Sequence, residues 1–372
     1  MKLSKKTIIY INLATFFITV STEVYETLLP FILVKYFSAS MVIVGLIDGL
    51  GEAFSNLIKI FGGYLSDIKD KKKLLSFGLS SLLFSYVYMA FSTKWADALI
   101  SVLFKSIGEG IFIPVKDKIL STVYKKEMGK IFSLNKIFEN LGELIGIFLA
   151  FLISLILLNK FGYRYVYFLI LGTFVVFTFF LVFFTSIKLD KKVEKKKISW
   201  KIFEPSILIF FFLFSFVNFG YSFFILKVYD FLKSESFALG MYLIFGFVLL
   251  VSTYFAGRVY DSLNLKNFLY ITVVIFILSN LLLIIFPPLG LITLAVGEAF
   301  LEIGVWATVG KRVKFRKGFV FGVYHFVIGV SSFISSFVSG YLWDYFSSNA
   351  PFLLGTFVAF LSLFYIHKFI RV

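Results

Sequence analysis

Apolar residues fill this chain in runs of membrane length, parted by short charged turns. Residues 7–34, 40–66, 73–93, 96–120, 129–158 and 162–186 form six such runs, and 203–229, 236–260, 267–286, 289–310, 318–345 and 350–368 form six more. At about 1.5 Å of rise per residue, each can cross roughly 30 Å of hydrocarbon as a helix. The runs are separated by Pro287-Pro288, Ser347-Ser348-Asn349 and short charged turns. The pattern predicts an all-α membrane protein of twelve transmembrane helices.

One short stretch is used twice. Gly63-Tyr64-Leu65-Ser66-Asp67 closes the second run ahead of Lys69, Lys71, Lys72 and Lys73, and Gly257-Arg258-Val259-Tyr260-Asp261 with Lys266 stands 194 residues later in a chain of 372. An offset near half the length predicts two related, pseudo-symmetric six-helix bundles, residues 1–187 and 202–372. The stretch 188–201, with Lys188, Lys191, Lys192, Lys195, Lys196, Lys197 and Lys201, is the expected cytoplasmic linker.

Composition agrees with a lipid solvent. The chain is 59% hydrophobic, 21% aromatic and only 16% charged, against roughly half apolar and a quarter charged in soluble domains. The net charge of +16 would suit nucleic-acid binding, but its carriers collect in loops: with a cytoplasmic N-terminus, 26 lysines and arginines lie on the cytoplasmic side and 5 on the other. By the positive-inside rule both termini face the cytoplasm of a cell membrane, and nucleic acid is not an expected partner. No cleavable targeting segment is recognised ahead of the first run, which is expected to remain in the mature protein. Zero cysteines exclude disulfides and thiolate chemistry, and with 2 histidines a transition-metal site has only carboxylates to draw on. There is no phosphate-binding Gly-x-x-x-x-Gly-Lys-Ser/Thr loop, serine elbow or His-Glu-x-x-His. No enzyme, cofactor or metal centre is expected, and the chain is expected to act as a monomer.

Ionisable groups inside the runs are costly in hydrocarbon and should face a cavity or a partner. Glu23 and Glu26 lie in the first run. In the second, Asp48, Glu52 and Lys59 fall within an arc of about 40° at 100° per residue. The fourth carries Lys105 and Glu109, then Lys116, Asp117 and Lys118, and the fifth carries Lys136, Glu139 and Glu143 on one face. Lys105, Glu109, Lys136 and Glu139 read equally as ion pairs fastening helices or as part of a relay. In the second half, Asn218 lies in the seventh run, Glu298 and Glu302 are i, i+4 in the tenth, and His325 is in the eleventh. A buried glutamate pair tends to hold one proton between its members, and histidine can pass protons near neutral pH. Glu23, Glu52, Glu109, Glu143, Asn218, Glu298, Glu302 and His325 are therefore the candidate substrate and proton ligands. Lys227 and Asp230, three apart, are expected to pair at an interface or to snorkel. Glycines such as Gly45, Gly49, Gly142 and Gly146 are expected to let helices approach closely.

The residues resemble the major facilitator superfamily of secondary transporters over nearly the whole chain. Gly63-x-Leu65-Ser66-Asp67 with Lys71 and Lys72 is similar to the superfamily's loop motif after its second helix, and Gly257 to Asp261 to its weaker copy after the eighth. Glu23-Val24-Tyr25, Gly45-Leu46-Ile47-Asp48-Gly49, Gly108-Glu109-Gly110, Pro114-Val115-Lys116-Asp117, Phe321 to His325 and Gly340 to Asp344 resemble a prokaryotic subgroup of unassigned substrate. The likeness departs at Ile68, where the motif has a base, at Asp70, where it has a glycine, and at Ile147, where the antiporter motif of the fifth helix has a proline. The resemblance implies a cytoplasmic gate at Gly63, Asp67, Lys71, Asp117, Gly257 and Asp261. In it Asp67 accepts from the amides that open the helix near Gly318, and Lys71 faces Asp117. It implies alternating access by rocking of the two halves about a small-molecule substrate held between them. With the acidic midplane, the expectation is proton-coupled efflux of a small cationic or neutral amphipathic solute. Proton-linked uptake and a non-transporting receptor on the same fold are the alternatives.

Overall fold

A computed structural model describes residues 5–123, 128–156, 171–183, 205–312 and 317–370. The first half has α1 (Lys5–Phe31), which runs into a π turn at Ile32–Tyr36, then α2 (Met41–Ile68), α3 (Lys71–Ala90), α4 (Trp95–Val123), α5 (Met128–Ile156) and α6 (Gly172–Phe183). The second half has α7 (Pro205–Phe214), α8 (Tyr221–Leu232), α9 (Glu235–Ser262), α10 (Leu265–Ile285), α11 (Pro287–Arg312), α12 (Lys317–Tyr345) and α13 (Ala350–Phe369). Among the described residues, ten spans are long and apolar enough to cross a membrane, with α6 and α7 as shorter apolar helices. The linker 188–201 lies outside the described residues.

The internal repeat survives in the helix ends. Asp70 caps α3 by accepting from the Lys73 amide at 3.0 Å, and Asn264, 194 residues on, caps α10 by accepting from the Asn267 amide at 2.8 Å. Two short polar side chains at equivalent positions satisfy the otherwise unpaired first amides of equivalent helices. The same offset relates the start of α2 at Met41 to the start of α9 at Glu235. Their caps differ. Ser234 accepts from the Phe237 amide of its own helix, whereas the Met41 and Val42 amides at the start of α2 donate to the Asp344 carboxylate of α12, at 3.0 and 2.8 Å.

The chain divides into two compact units: residues 1–37 with 54–197, and 38–53 with 198–372. In the first unit α3 packs along α4 and α1 along α5. Serines knit the former pair: Ser81 donates to the Phe104 carbonyl at 2.7 Å, and Ser85 and Ser101 each donate to the other's carbonyl. In the second unit α11 packs against α9 and α10, and α10 against α13. Residues 41–53 of α2 belong here because they cross α12 at very short range. A Cβ on Gly45 would lie 2.1 Å from the Ser336 carbonyl oxygen, and one on Gly340 would lie 2.3 Å from that of Met41. The expected close approach at Gly45 and Gly49 is thus a backbone contact with α12. By contrast Gly257 has nothing within 4 Å of a Cβ, so space does not require glycine there.

Many large apolar side chains point outward, among them Phe91, Phe183, Phe237 and Phe364. So many exposed large apolar side chains suit a surface that faces lipid.

Candidate functional site

The seventh apolar run, expected as one helix over 203–229, is broken. α7 ends at Phe214, α8 begins at Tyr221, and Ser215 to Gly220 run between them without regular helix. Freed backbone groups are intolerable in hydrocarbon unless protein meets them, and here several are met. Asn280 of α10, wholly buried, donates to the Val217 carbonyl at 3.4 Å, and the Gly220 amide donates to Ser336 Oγ at 3.0 Å. Ser215 shares a hydrogen bond with Ser331 at 2.7 Å. Asp48 of α2 stands at the start of α8, its Oδ2 only 2.7 Å from where a Gly220 Cβ would be. A carboxylate there is favoured by the positive end of the helix.

Candidate residues converge around this break, all within the second unit. Glu298 of α11 is 8% exposed, and its carboxyl faces Asn218 in the break and Tyr221 at the start of α8. Glu302, one turn on, and Glu52 of α2 lie within electrostatic range of it. Glu52 accepts a short hydrogen bond from Ser332 of α12. Despite the polar company, Glu298 Oε1 and Asn218 Oδ1 are buried without hydrogen-bond partners. Tyr221 also lies in the field of Tyr242 on α9, and Phe245 stacks with Tyr242 at 5.2 Å and meets Tyr221 edge-on at 6.1 Å. The site is an acidic cluster beside an aromatic wall.

The candidates of the first unit sit in a different setting. Lys105, 5% exposed, donates to Glu26 at 2.5 Å and to Glu109 at 3.0 Å, with the Tyr25 ring 5.9 Å away. Glu23 packs against Gly146, where a Cβ would lie 2.6 Å from its own, and accepts from Thr27 at 3.4 Å. Buried Lys116 lies 3.6 Å from both Asp117 and Glu139, while Lys136 is 3.2 Å from Glu139 and 4.0 Å from Glu143. Lys59 donates to Asn56. Carboxylates here alternate with lysines and tie α1 to α4 and α4 to α5.

Of the gate residues, Gly63 and Gly257 lie in the last turns of α2 and α9, Asp261 is exposed, and Lys71 is buried at the start of α3. The Asp67 and His325 side chains lie outside the described residues. The expectation for Lys227 needs correction. It is 6% exposed, donates to Ser348 at 2.9 Å and Asn349 at 2.5 Å, and lies 5.8 Å from the Trp343 ring, while Asp230 accepts from Lys233 instead. Among the described residues, no group of three His, Cys, Asp or Glu side chains could hold a metal ion.

Sequence reasoning missed Tyr221, Tyr242, Ser332 and Ser336. A signal for the serines existed: Ser331, Ser332, Ser335, Ser336 and Ser339 recur at helical spacing in an apolar run, and all five are buried. So did one for the break, in Ser215, Asn218 and Gly220.

The sequence profile of the Major Facilitator Superfamily matches residues 11–336. An uncharacterized MFS-type transporter of Methanocaldococcus jannaschii is 24% identical over 383 residues, spanning 96% of this chain and 93% of that protein. Among solved structures, the nucleoside transporter NupG is similar at a TM-score of 0.82 and 13% identity, over 98% of this chain and 100% of that one. A D-xylose–proton symporter is similar at 0.73 and 14%, over 98% of each. At such identities these structures speak for the fold alone. Because the profile covers most of the chain and the helices take the same fold, this chain belongs to the Major Facilitator Superfamily of membrane transporters.

Proposed function

We propose that the chain is a proton-coupled exporter of a small cationic or neutral amphipathic solute, working by alternating access in a cell membrane with both termini in the cytoplasm. The observation that carries this is Glu298, a buried carboxyl with an unpartnered oxygen beside a broken helix. Intramembrane carboxyls persist where they serve ion or substrate paths, and broken helices are where transporters bind their cargo. The neighbouring Glu302 and Glu52 disfavour an anion and favour a proton or a cation. Glu26, Glu109, Asp117, Glu139 and Glu143 of the first unit, being paired with lysines, fit a fastening role better.

A solute screen in proteoliposomes holding a lumenal pH dye tests this. Export coupling requires that solute and proton gradients drive one another in opposite directions, and that Glu298→Gln uncouples them. Movement in the same direction would establish proton-linked uptake instead. Fluxes indifferent to pH throughout would remove proton coupling.

A further inference from the structure

We propose that the second unit, at the end where α10 begins and α13 stops, binds the phosphate of an anionic phospholipid, with one acyl chain of that lipid laid along α13. The site is on the lipid-facing surface and holds whether the chain exports or imports its solute.

Cations outnumber acids at this end. Lys266 of α10 donates to the His367 carbonyl at 2.9 Å, which leaves two of its three N–H donors for another acceptor. Lys368 is exposed, with its ammonium 6.0 Å from the Phe364 ring and 5.3 Å from the Phe369 ring. Tyr270 shares a hydrogen bond with His367 Nδ1 at 3.3 Å, which brings a hydroxyl and an imidazole to the same place. Neither α10 nor α13 contains an aspartate or a glutamate. α9 ends with Arg258 as well as with its one acid on this side, Asp261. Among the described residues neither Lys266 nor Lys368 pairs with a carboxylate. Basic clusters of this kind beside membrane helices attract anionic headgroups.

A lysine at a helix end can also serve the fold alone, and the first half shows that version. Lys72, 194 residues before Lys266, donates to the Phe183 carbonyl at the end of α6 at 3.0 Å. That contact, made in both halves, fastens the third helix of each half to the last and needs no ligand. Lys368 is what the second half adds. It makes no hydrogen bond to the described residues, and it heads an apolar stripe. Leu353, Phe357, Leu361 and Phe364 fall with it inside an arc of about 80° at 100° per residue, and all four are exposed. From Phe357 to Lys368 the helix rises about 17 Å, roughly half of a 30 Å hydrocarbon core. One acyl chain covers that distance from headgroup to midplane. Charge at the head and an apolar track of one leaflet's depth together select a lipid over a free anion.

Native mass spectrometry of the full-length protein in neutral detergent tests this. The probes are long-chain phosphatidylglycerol, phosphatidylcholine with the same chains, short-chain phosphatidylglycerol and inorganic phosphate. Long-chain phosphatidylglycerol should be held at least about tenfold tighter than either other lipid, and an equal concentration of phosphate should not displace it. Lys368→Met should weaken that binding about fivefold, while Lys368→Arg should retain it. Because Lys368 carries no hydrogen bond of the fold, Lys368→Met should leave the thermal midpoint in lipid-free detergent unchanged. Lys233→Met, a control lysine after α8, should bind as the parent does. Equal retention of the two long-chain lipids, or affinity unchanged in Lys368→Met, would overturn the site. So would displacement by phosphate, or short-chain lipid held as tightly as long-chain lipid.

Discussion

Lys105→Met is the sharpest perturbation of the first unit, because its partners differ so much in exposure. The Glu109 side chain is 16% exposed and the Glu26 side chain 56%. Removing the lysine leaves the half-buried Glu109 without this partner, and the upper bound is the about 3–5 kcal/mol that breaking a fully buried pair costs. The Glu26 contact is short, but one partner lies in high dielectric, so Glu26→Gln should cost no more than about 1 kcal/mol. Replacing both ends of the buried pair removes the uncompensated charge, and Lys105→Met with Glu109→Gln should return to within about 1 kcal/mol of the parent. Stability is read by reversible unfolding in mixed micelles at neutral pH. The expected order is parent, then Glu26→Gln and the double variant close below it, then Lys105→Met far beneath. If Lys105→Met unfolds no more easily than Glu26→Gln, or the double variant does not recover, the cluster does not fasten α1 to α4. A relay would then be the better account of it.

Three further substitutions probe the second unit. Gly45→Ala places a methyl 2.1 Å from the Ser336 carbonyl oxygen. The overpacking cost of about 1–3 kcal/mol should exceed the 0.5–1 kcal/mol that alanine gains in a helix, roughly, so the thermal midpoint should fall. A rise would mean that α2 and α12 do not cross so closely. Asn280→Leu strips the donor from the Val217 carbonyl and should destabilise by about 1–3 kcal/mol, with faster amide exchange confined to residues 215–220. Unchanged exchange there would show that the break is held by other contacts. Asp344→Ala removes the acceptor for two amides of α2, so Met41 and Val42 should exchange faster at a cost of about 1 kcal/mol. Unaltered protection would show that Asp344 does not cap α2.

What could be read from the sequence was whatever local periodicity encodes. Among the described residues the apolar runs became helices, the seventh in two pieces. The 194-residue offset reappeared in Asp70 and Asn264, because a helix start needs an acceptor within three residues of itself. Glu298 and Glu302 were placed one turn apart by spacing alone. The hidden features are those whose partner lies far along the chain. Asp344 serves amides 302 and 303 residues away, and Glu52 meets Ser332 280 residues on. Lys227 has Asp230 three residues off, yet finds Ser348 and Asn349 across the fold, and no periodicity announces that choice. The break at Ser215 to Gly220 was concealed differently. Its phenylalanines and valine kept the run apolar, while Asn218 and Gly220, which lie in the break, were too few to alter the average.

If the acids around Glu298 face water rather than lipid and select for positive charge, a single introduced thiol beside them will report it. The chain has no cysteine, so one introduced thiol can be followed without background. Glu52→Cys places it at an exposed position of α2 beside the cluster, and Phe247→Cys places a control on an exposed apolar face of α9. In proteoliposomes the Glu52→Cys thiol should react with an ammonium-bearing methanethiosulfonate at least about tenfold faster than with its sulfonate counterpart, while the Phe247→Cys thiol stays inert. A Glu52→Cys thiol that is unreactive, or that reacts with both reagents at one rate, would contradict the account.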